Sequence, residues 1–208
     1  LQEAVATYRR LTTLAPTAAG PQVLLGRALA DSGDRVGAAR ATEVAVKLAP
    51  ASADVRTAQI QLLLSQGNGD AAVATARAFQ SSSPGTTADL LLAETLDRTK
   101  QRDQAAAVLS KSQADKPNSI VLLKLATYAM QAKDTNRAED LMSKWLAGNP
   151  TDLAVRLAYA NIFMDRQDSA RAIPQYETIL KQSPNNVLAL NNLGWLIQTS
   201  NPKRALSM

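Results

Sequence analysis

The chain has 208 residues, 46% of them hydrophobic but only 4% aromatic, and carries a formal charge of +5 from 23 basic and 18 acidic side chains. It contains no cysteine and no histidine, which excludes disulfides and thiolate metal sites and removes the commonest general base and metal ligand. The charges are interspersed without a basic run, so they read as a solvated surface and not as a nucleic-acid footprint, and no apolar stretch is long enough to span a bilayer.

Six of the nine prolines stand at Pro16, Pro50, Pro84, Pro117, Pro150 and Pro184, at intervals of 34, 34, 33, 33 and 34 residues. Proline lacks an N–H and clashes with the preceding turn, so each one ends a helix and restarts the chain. In chain order, residues 1–18 read as one helix, the second half of a pair, with Ala4 and Tyr8 on its apolar side. Five full units follow, at 19–52, 53–85, 86–118, 119–152 and 153–186, and each divides into two helical runs. In the last of these, Leu153, Val155, Leu157, Ile162 and Phe163 recur at helical spacing, residues 166–169 form a polar turn with an N-cap, and Ala172, Ile173, Tyr176 and Ile179 repeat the helical spacing. Gly33 and Gly67 stand at the internal turn, where glycine allows positive φ, and Lys133 with Asp134 takes the same place in a later unit.

Ala38, Ala72, Ala105, Ala138 and Ala172 recur where the second helix must approach the first. Pro174 lies inside a second helix and should kink or loosen its start. Residues 187–208 read as a sixth first helix over 187–199, a turn and a truncated second helix. Both ends fall inside a unit, so a segment of a longer protein is expected, and the lack of a targeting signal carries no information on location.

This pattern resembles the tetratricopeptide repeat, a 34-residue helix–turn–helix unit with a small residue at repeat position 8, Ala at 20 and Pro at 32. With the prolines at position 32, position 8 is Gly26, Ile60, Ala93, Ala126 and Ala160, and position 20 is the alanine series. Position 24 is Thr42, Ala76, Leu109, Met142 and Tyr176. Two departures stand out. Ile60 replaces a small residue, and position 4, often Trp in the family, is Gln22, Arg56, Asp89, Leu122 and Arg156. The resemblance covers the whole chain. It implies an all-α fold, a single right-handed superhelical α-solenoid of antiparallel helix pairs over 1–208, in which stacked units bury the face that one unit cannot bury alone.

The resemblance also implies that first helices line a concave groove where partner peptides lie. Position 9 there is Arg27, Gln61, Glu94, Thr127, Asn161 and Trp195. Leu90, Leu123, Leu157 and Asn191 follow from position 5, and Ile120, Met130, Met164 and Leu188 extend an apolar strip that could take an extended peptide or an amphipathic helix. The competing reading is that these Leu and Met residues complete the packing between repeats. The carboxylate clamp of some family members needs Lys at position 5, which this chain never has; Asn161 and Asn192 alone fall at clamp positions.

No catalytic, metal or cofactor site is expected. Glu139 and Asp140 read as solvated charges, and residues 67–70 form a repeat turn, not a phosphate loop. The function expected is a non-catalytic scaffold for a protein or peptide, with an architectural spacer or end-to-end self-association as alternatives. Neither nucleic-acid binding nor direct membrane insertion is expected. The run from Asn191 through Asn192, Leu193, Gly194 and Trp195 to Leu196 is similar to segments of bacterial tetratricopeptide lipoproteins linked to exopolysaccharide export and exosortase (PEP-CTERM) sorting. That resemblance implies a periplasmic or outer-membrane-associated location, with a bacterial cytoplasmic scaffold as the alternative.

Overall fold

The computed structural model describes residues 1–206; Ser207 and Met208, the end of the expected truncated unit, lie outside the described residues. Thirteen helices and no strand are present among the described residues, so the fold is all-α as expected. The chain divides into two compact units, Leu1–Lys116 and Pro117–Met208. The first holds α1 (Gln2–Leu14), α2 (Ala19–Asp31), α3 (Arg35–Leu48), α4 (Ala53–Ser65), α5 (Gly69–Ser82), α6 (Thr86–Arg98) and α7 (Arg102–Asp115). The second holds α8 (Ser119–Gln131), α9 (Thr135–Gly148), α10 (Leu153–Asp165), α11 (Ser169–Gln182), α12 (Val187–Ile197) and α13 (Pro202–Leu206). Within each unit, helices adjacent in sequence pack as antiparallel neighbours. Helix α12 ends two residues earlier than the sequence suggests, at Ile197.

The prolines act through the residue before them. Each of the six periodic prolines stands two residues beyond the last residue of a helix. The intervening residues are Ala15, Ala49, Ser83, Lys116, Asn149 and Ser183, with φ between −131° and −146°. Proline's ring disfavours the helical region for the residue preceding it, so the helix must stop there.

The internal turns are equally regular. Gly33, Gly67, Lys100, Lys133 and Gln167 all have positive φ, at 87°, 78°, 64°, 61° and 59°. Each turn closes with the same two backbone bonds. In the first, Asp34 N–H donates to Leu29 O at 2.9 Å and Gly33 N–H to Ala30 O at 3.0 Å; in the last, Asp168 N–H donates to Phe163 O at 2.8 Å and Gln167 N–H to Met164 O at 2.9 Å. This is a Schellman closure, which satisfies two carbonyls that the helix end would leave without partners. The residue that completes it is also the N-cap of the next helix. Asp34, Asp134 and Asp168 each accept a hydrogen bond from the backbone N–H three residues on. One aspartate therefore closes one helix and opens the next, which keeps the connection short and the pair antiparallel.

Burial follows the repeat. Ala38, Ala72, Ala105, Ala138 and Ala172 have no exposed surface at all, so any larger side chain would part the helices. The position-24 residues Thr42, Ala76, Leu109, Met142 and Tyr176 are buried beside them. Pro174 does not break its helix: α11 runs continuously from Ser169, with Asp168 capping it. Pro174 stands on the exposed side of α11, where its missing N–H leaves one turn without its backbone donor. Where the family often has tryptophan at position 4, Arg56 and Arg156 reach back to a proline carbonyl. Arg56 Nε donates to Pro50 O at 2.9 Å and Arg156 Nη2 to Pro150 O at 2.8 Å. Trp145 supplies an indole from α9 instead, donating Nε1–H to Asp152 Oδ2 at 2.9 Å.

Candidate binding surface

In the second unit the candidate residues divide by burial. Leu123 and Met130 are half-buried against the core formed by Leu122, Ala126, Met142 and Val155. Leu157 and Met164 are half-buried against the core of Ala160, Phe163, Tyr176 and Leu193. These four therefore contribute to packing between repeats and present only part of their surface. Ile120, Leu188 and Trp195 are different, at 61%, 59% and 57% exposed, and no core cluster claims them. Thr127, Asn161 and Asn191 are exposed, and Thr127 Oγ1 donates to Leu123 O within its own helix at 2.8 Å. Trp195 also borders a cleft of about 700 Å³ between α12 and α13, lined with Val187, Asn191, Gly194 and Leu206.

An amide cluster sits among these residues. The Tyr176 hydroxyl donates to Asn161 Oδ1 at 2.7 Å and accepts from Asn192 Nδ2 at 3.1 Å, while Asn191 Nδ2 donates to Asn192 Oδ1 at 3.3 Å. Asn161, on α10, and Asn192, on α12, are thus fixed by a phenol that arises from α11. Burial holds the Tyr176 hydroxyl above its ordinary pKa, against a smaller opposing effect of Asn192, so it stays a neutral donor. Tyr176 was legible as a core residue, but its role in orienting surface amides was not. A tyrosine in place of Leu or Met at position 24 is the signal that carries it.

In the first unit, Arg27 and Glu94 are exposed, and Gln61 and Leu90 are half-buried. Arg27 Nη2 donates to Gln61 Oε1 at 3.0 Å, which ties α2 to α4 across one repeat. Leu90 lies on α6 beside Asp89, whose carboxylate accepts from Gln80 Nε2 at 2.6 Å and Ser112 Oγ at 2.7 Å.

One sequence reading needs correction. Glu139 is not a solvated charge: its side chain is 17% exposed and pairs with both Arg166 and Arg171. Arg171 also bonds Asp168 at 2.5 Å, and its guanidinium lies 4.4 Å from the Phe163 ring centroid. Stacking the repeats brings α9, α10 and α11 together and encloses the glutamate. Asp140, next in sequence, faces outward and pairs with Lys144 at exposed positions, as expected. The side-chain hydrogen bond from Arg171, with its backbone N–H second, holds the Asp168 carboxyl below its ordinary pKa. Among the described residues, no group of three or more acidic side chains could hold a metal ion, and no helix is long and apolar enough to cross a membrane.

Repeated helix pairs with invariant buried alanines and a side-chain-rich first-helix face define a helical-repeat protein of the scaffold class. Tetratricopeptide repeat models match residues 129–193 and 23–87, together more than half of the chain, and the chain belongs to the tetratricopeptide repeat family. No curated protein matches it by sequence. Solved structures are similar in fold. One, from a functional characterization of Pseudomonas aeruginosa pilF, aligns with a TM-score of 0.58 at 19% identity over 91% of this chain and 87% of that one. Another, the thermophilic tetratricopeptide repeat protein TTC0263 of Thermus thermophilus, aligns with a TM-score of 0.56 at 19% identity over 86% of this chain and 99% of that one. YrrB, described as having an unusual peptide-binding site, aligns with a TM-score of 0.50 at 12% identity over 90% of this chain and 97% of that one.

Proposed function

We propose that the chain is a non-catalytic scaffold that holds a peptide or helix of another protein on its first-helix face. One observation carries this reading: two large apolar side chains, Leu188 and Trp195, stand exposed on α12 among the amides of Asn191 and Asn192, the latter bonded to Asn161, and Ile120 is likewise exposed on the first helix α8. Exposed apolar anchors next to fixed hydrogen-bonding groups suit a peptide, whose side chains and backbone need both. The fold likeness to YrrB and its peptide-binding site supports the same reading. Glu94, Arg27, Gln61 and Leu90 stand on the first helices of the first unit, and the half-buried Leu123, Met130, Leu157 and Met164 add apolar surface to the first helices of the second.

The test is selection of binders from a displayed random-peptide library, followed by Leu188→Glu and Trp195→Glu. Both positions are exposed, so the variants should keep their helical content and melting temperature. Binding should weaken about tenfold or more. Unchanged affinity in both variants would remove the surface from consideration, and a chain that selects no peptide would favour the spacer reading. The bacterial-envelope context rests on the resemblance of residues 191–196 to export and sorting lipoproteins. Fractionation of the full-length product tests that context: recovery in the periplasm or outer membrane supports it, and recovery in the cytosol replaces it.

A further inference from the structure

Repeat positions 8 and 24 share one space between the two helices of a pair. In four repeats the pair joins a small residue to a large one or the reverse: Ile60 with Ala76, Ala93 with Leu109, Ala126 with Met142, and Ala160 with Tyr176. All eight are buried, with 4% or less of their surface exposed. Ile60, a departure when position 8 is taken alone, thus stands in the same repeat as a small position-24 residue, Ala76. The first repeat breaks the rule, because it pairs Gly26 with Thr42. The two are in contact: a Cβ built on Gly26 would lie 3.0 Å from Thr42 Oγ1.

The missing volume is visible as a cavity of about 360 Å³. Buried Gly26 and Thr42 form its floor, Ala58 and Leu62 its walls, and Arg27 with its partner Gln61 its mouth. The fifth repeat shows what fits there. Its Tyr176 hydroxyl reaches Asn161, Asn192 and the Met164 sulfur. Around the first repeat, the residues at those three repeat positions are Arg27, Ala58 and Ala30, and all three line the cavity. The space that a phenol ring fills from inside in the fifth repeat is open to the first-helix face in the first.

We propose that this cavity is a socket for one tyrosine-sized aromatic side chain of a bound polypeptide. The proposal rests on the reading that the first-helix face takes a peptide, but it uses none of Ile120, Leu188 or Trp195. A cavity of this volume falls at the low end of ligand sites, roughly 300–1,000 Å³. Thr42 Oγ1 donates to Ala38 O at 2.8 Å, which leaves its oxygen free to accept from a phenol entering the socket.

The probe is p-cresol, titrated into the whole chain and followed by methyl-resolved NMR. Saturable shifts at the methyls of Thr42, Ala58 and Leu62 are the expected result. Thr42→Tyr fills the socket from inside, as in the fifth repeat, and should weaken p-cresol binding by about tenfold or more. Should that variant fail to fold, Thr42→Leu, which copies Leu109, gives the same readout with a smaller group. No saturable shift in the unaltered chain would overturn the socket, and so would equal p-cresol binding by a folded Thr42→Tyr or Thr42→Leu chain. Because p-cresol needs no peptide partner, the two readings fail separately. Absent p-cresol binding with intact Leu188-dependent peptide binding sinks only the socket, and the reverse sinks only the peptide surface of the second unit.

Discussion

The first repeat, 19–52, and the fifth, 153–186, share a backbone and differ in what fills it. Asp34 and Asp168 complete the same turn and cap the same helix, and Ala38 and Ala172 are equally sealed from solvent. Between these fixed points the first repeat places Gly26 and Thr42, and the fifth places Ala160 and Tyr176. The difference teaches that the repeat's invariants belong to its turns and its closest helix contact. Side-chain volume at the helix interface is left free, and function can occupy the freedom.

Converting one repeat toward the other tests this division. The largest effect should come from Tyr176→Ala, which gives the fifth repeat the small filling of the first. Removing a fully buried aromatic costs about 3–5 kcal/mol, read as a lower urea midpoint by circular dichroism; a midpoint unchanged from the parent would show that Tyr176 is not a packing element. A smaller effect attaches to Asp168. Where Arg171 pairs with it in the fifth repeat, the first has Gly37 and no guanidinium. Because the folded-state pKa of Asp168 is lowered, its charge stabilises the fold above the ordinary value of 3.8, and that contribution is lost as the pH drops below it. Asp168→Asn keeps a capping oxygen but not the charge. The variant should therefore melt below the parent near neutral pH and converge with it in acid; a gap that persists at low pH would assign the effect to geometry and not to charge. The smallest change is Gln167→Gly, which copies Gly33. A left-handed residue with a Cβ costs about 1–2 kcal/mol, offset by the freedom glycine adds to the unfolded chain. A melting temperature equal to or slightly above the parent's is expected, and a clear drop would mean that the Gln167 side chain makes a contact of its own.

Most of the fold was legible because its signals are local. Proline spacing, capping aspartates and the alanine series each act within a few residues, and together they set register, helix ends and the tightest contact. The left-handed Lys100 and Gln167 were not legible, since neither residue type advertises positive φ; only their alignment with Gly33 and Gly67 does. Glu139 was misread because its partners Arg166 and Arg171 lie 27 and 32 residues away and meet it only when repeats stack. Of the proposed binding surface, the positions on first helices were legible and their burial was not. Repeat phase placed Ile120, Leu188 and Trp195 on the first helices, but burial separated them from Leu123, Met130, Leu157 and Met164, which have the same periodicity and are partly spent on the core.

Trp145, held by Asp152, and the exposed Trp195 account for both tryptophans, and both belong to the second unit. The first 116 residues contain a single tyrosine, Tyr8, and no indole. Light absorbed at the red edge of the protein band therefore excites one half of the molecule and leaves the other dark. Without any added dye, emission follows Pro117–Met208 alone while far-ultraviolet ellipticity follows every helix, so divergence between the two signals during denaturation would show the units melting separately.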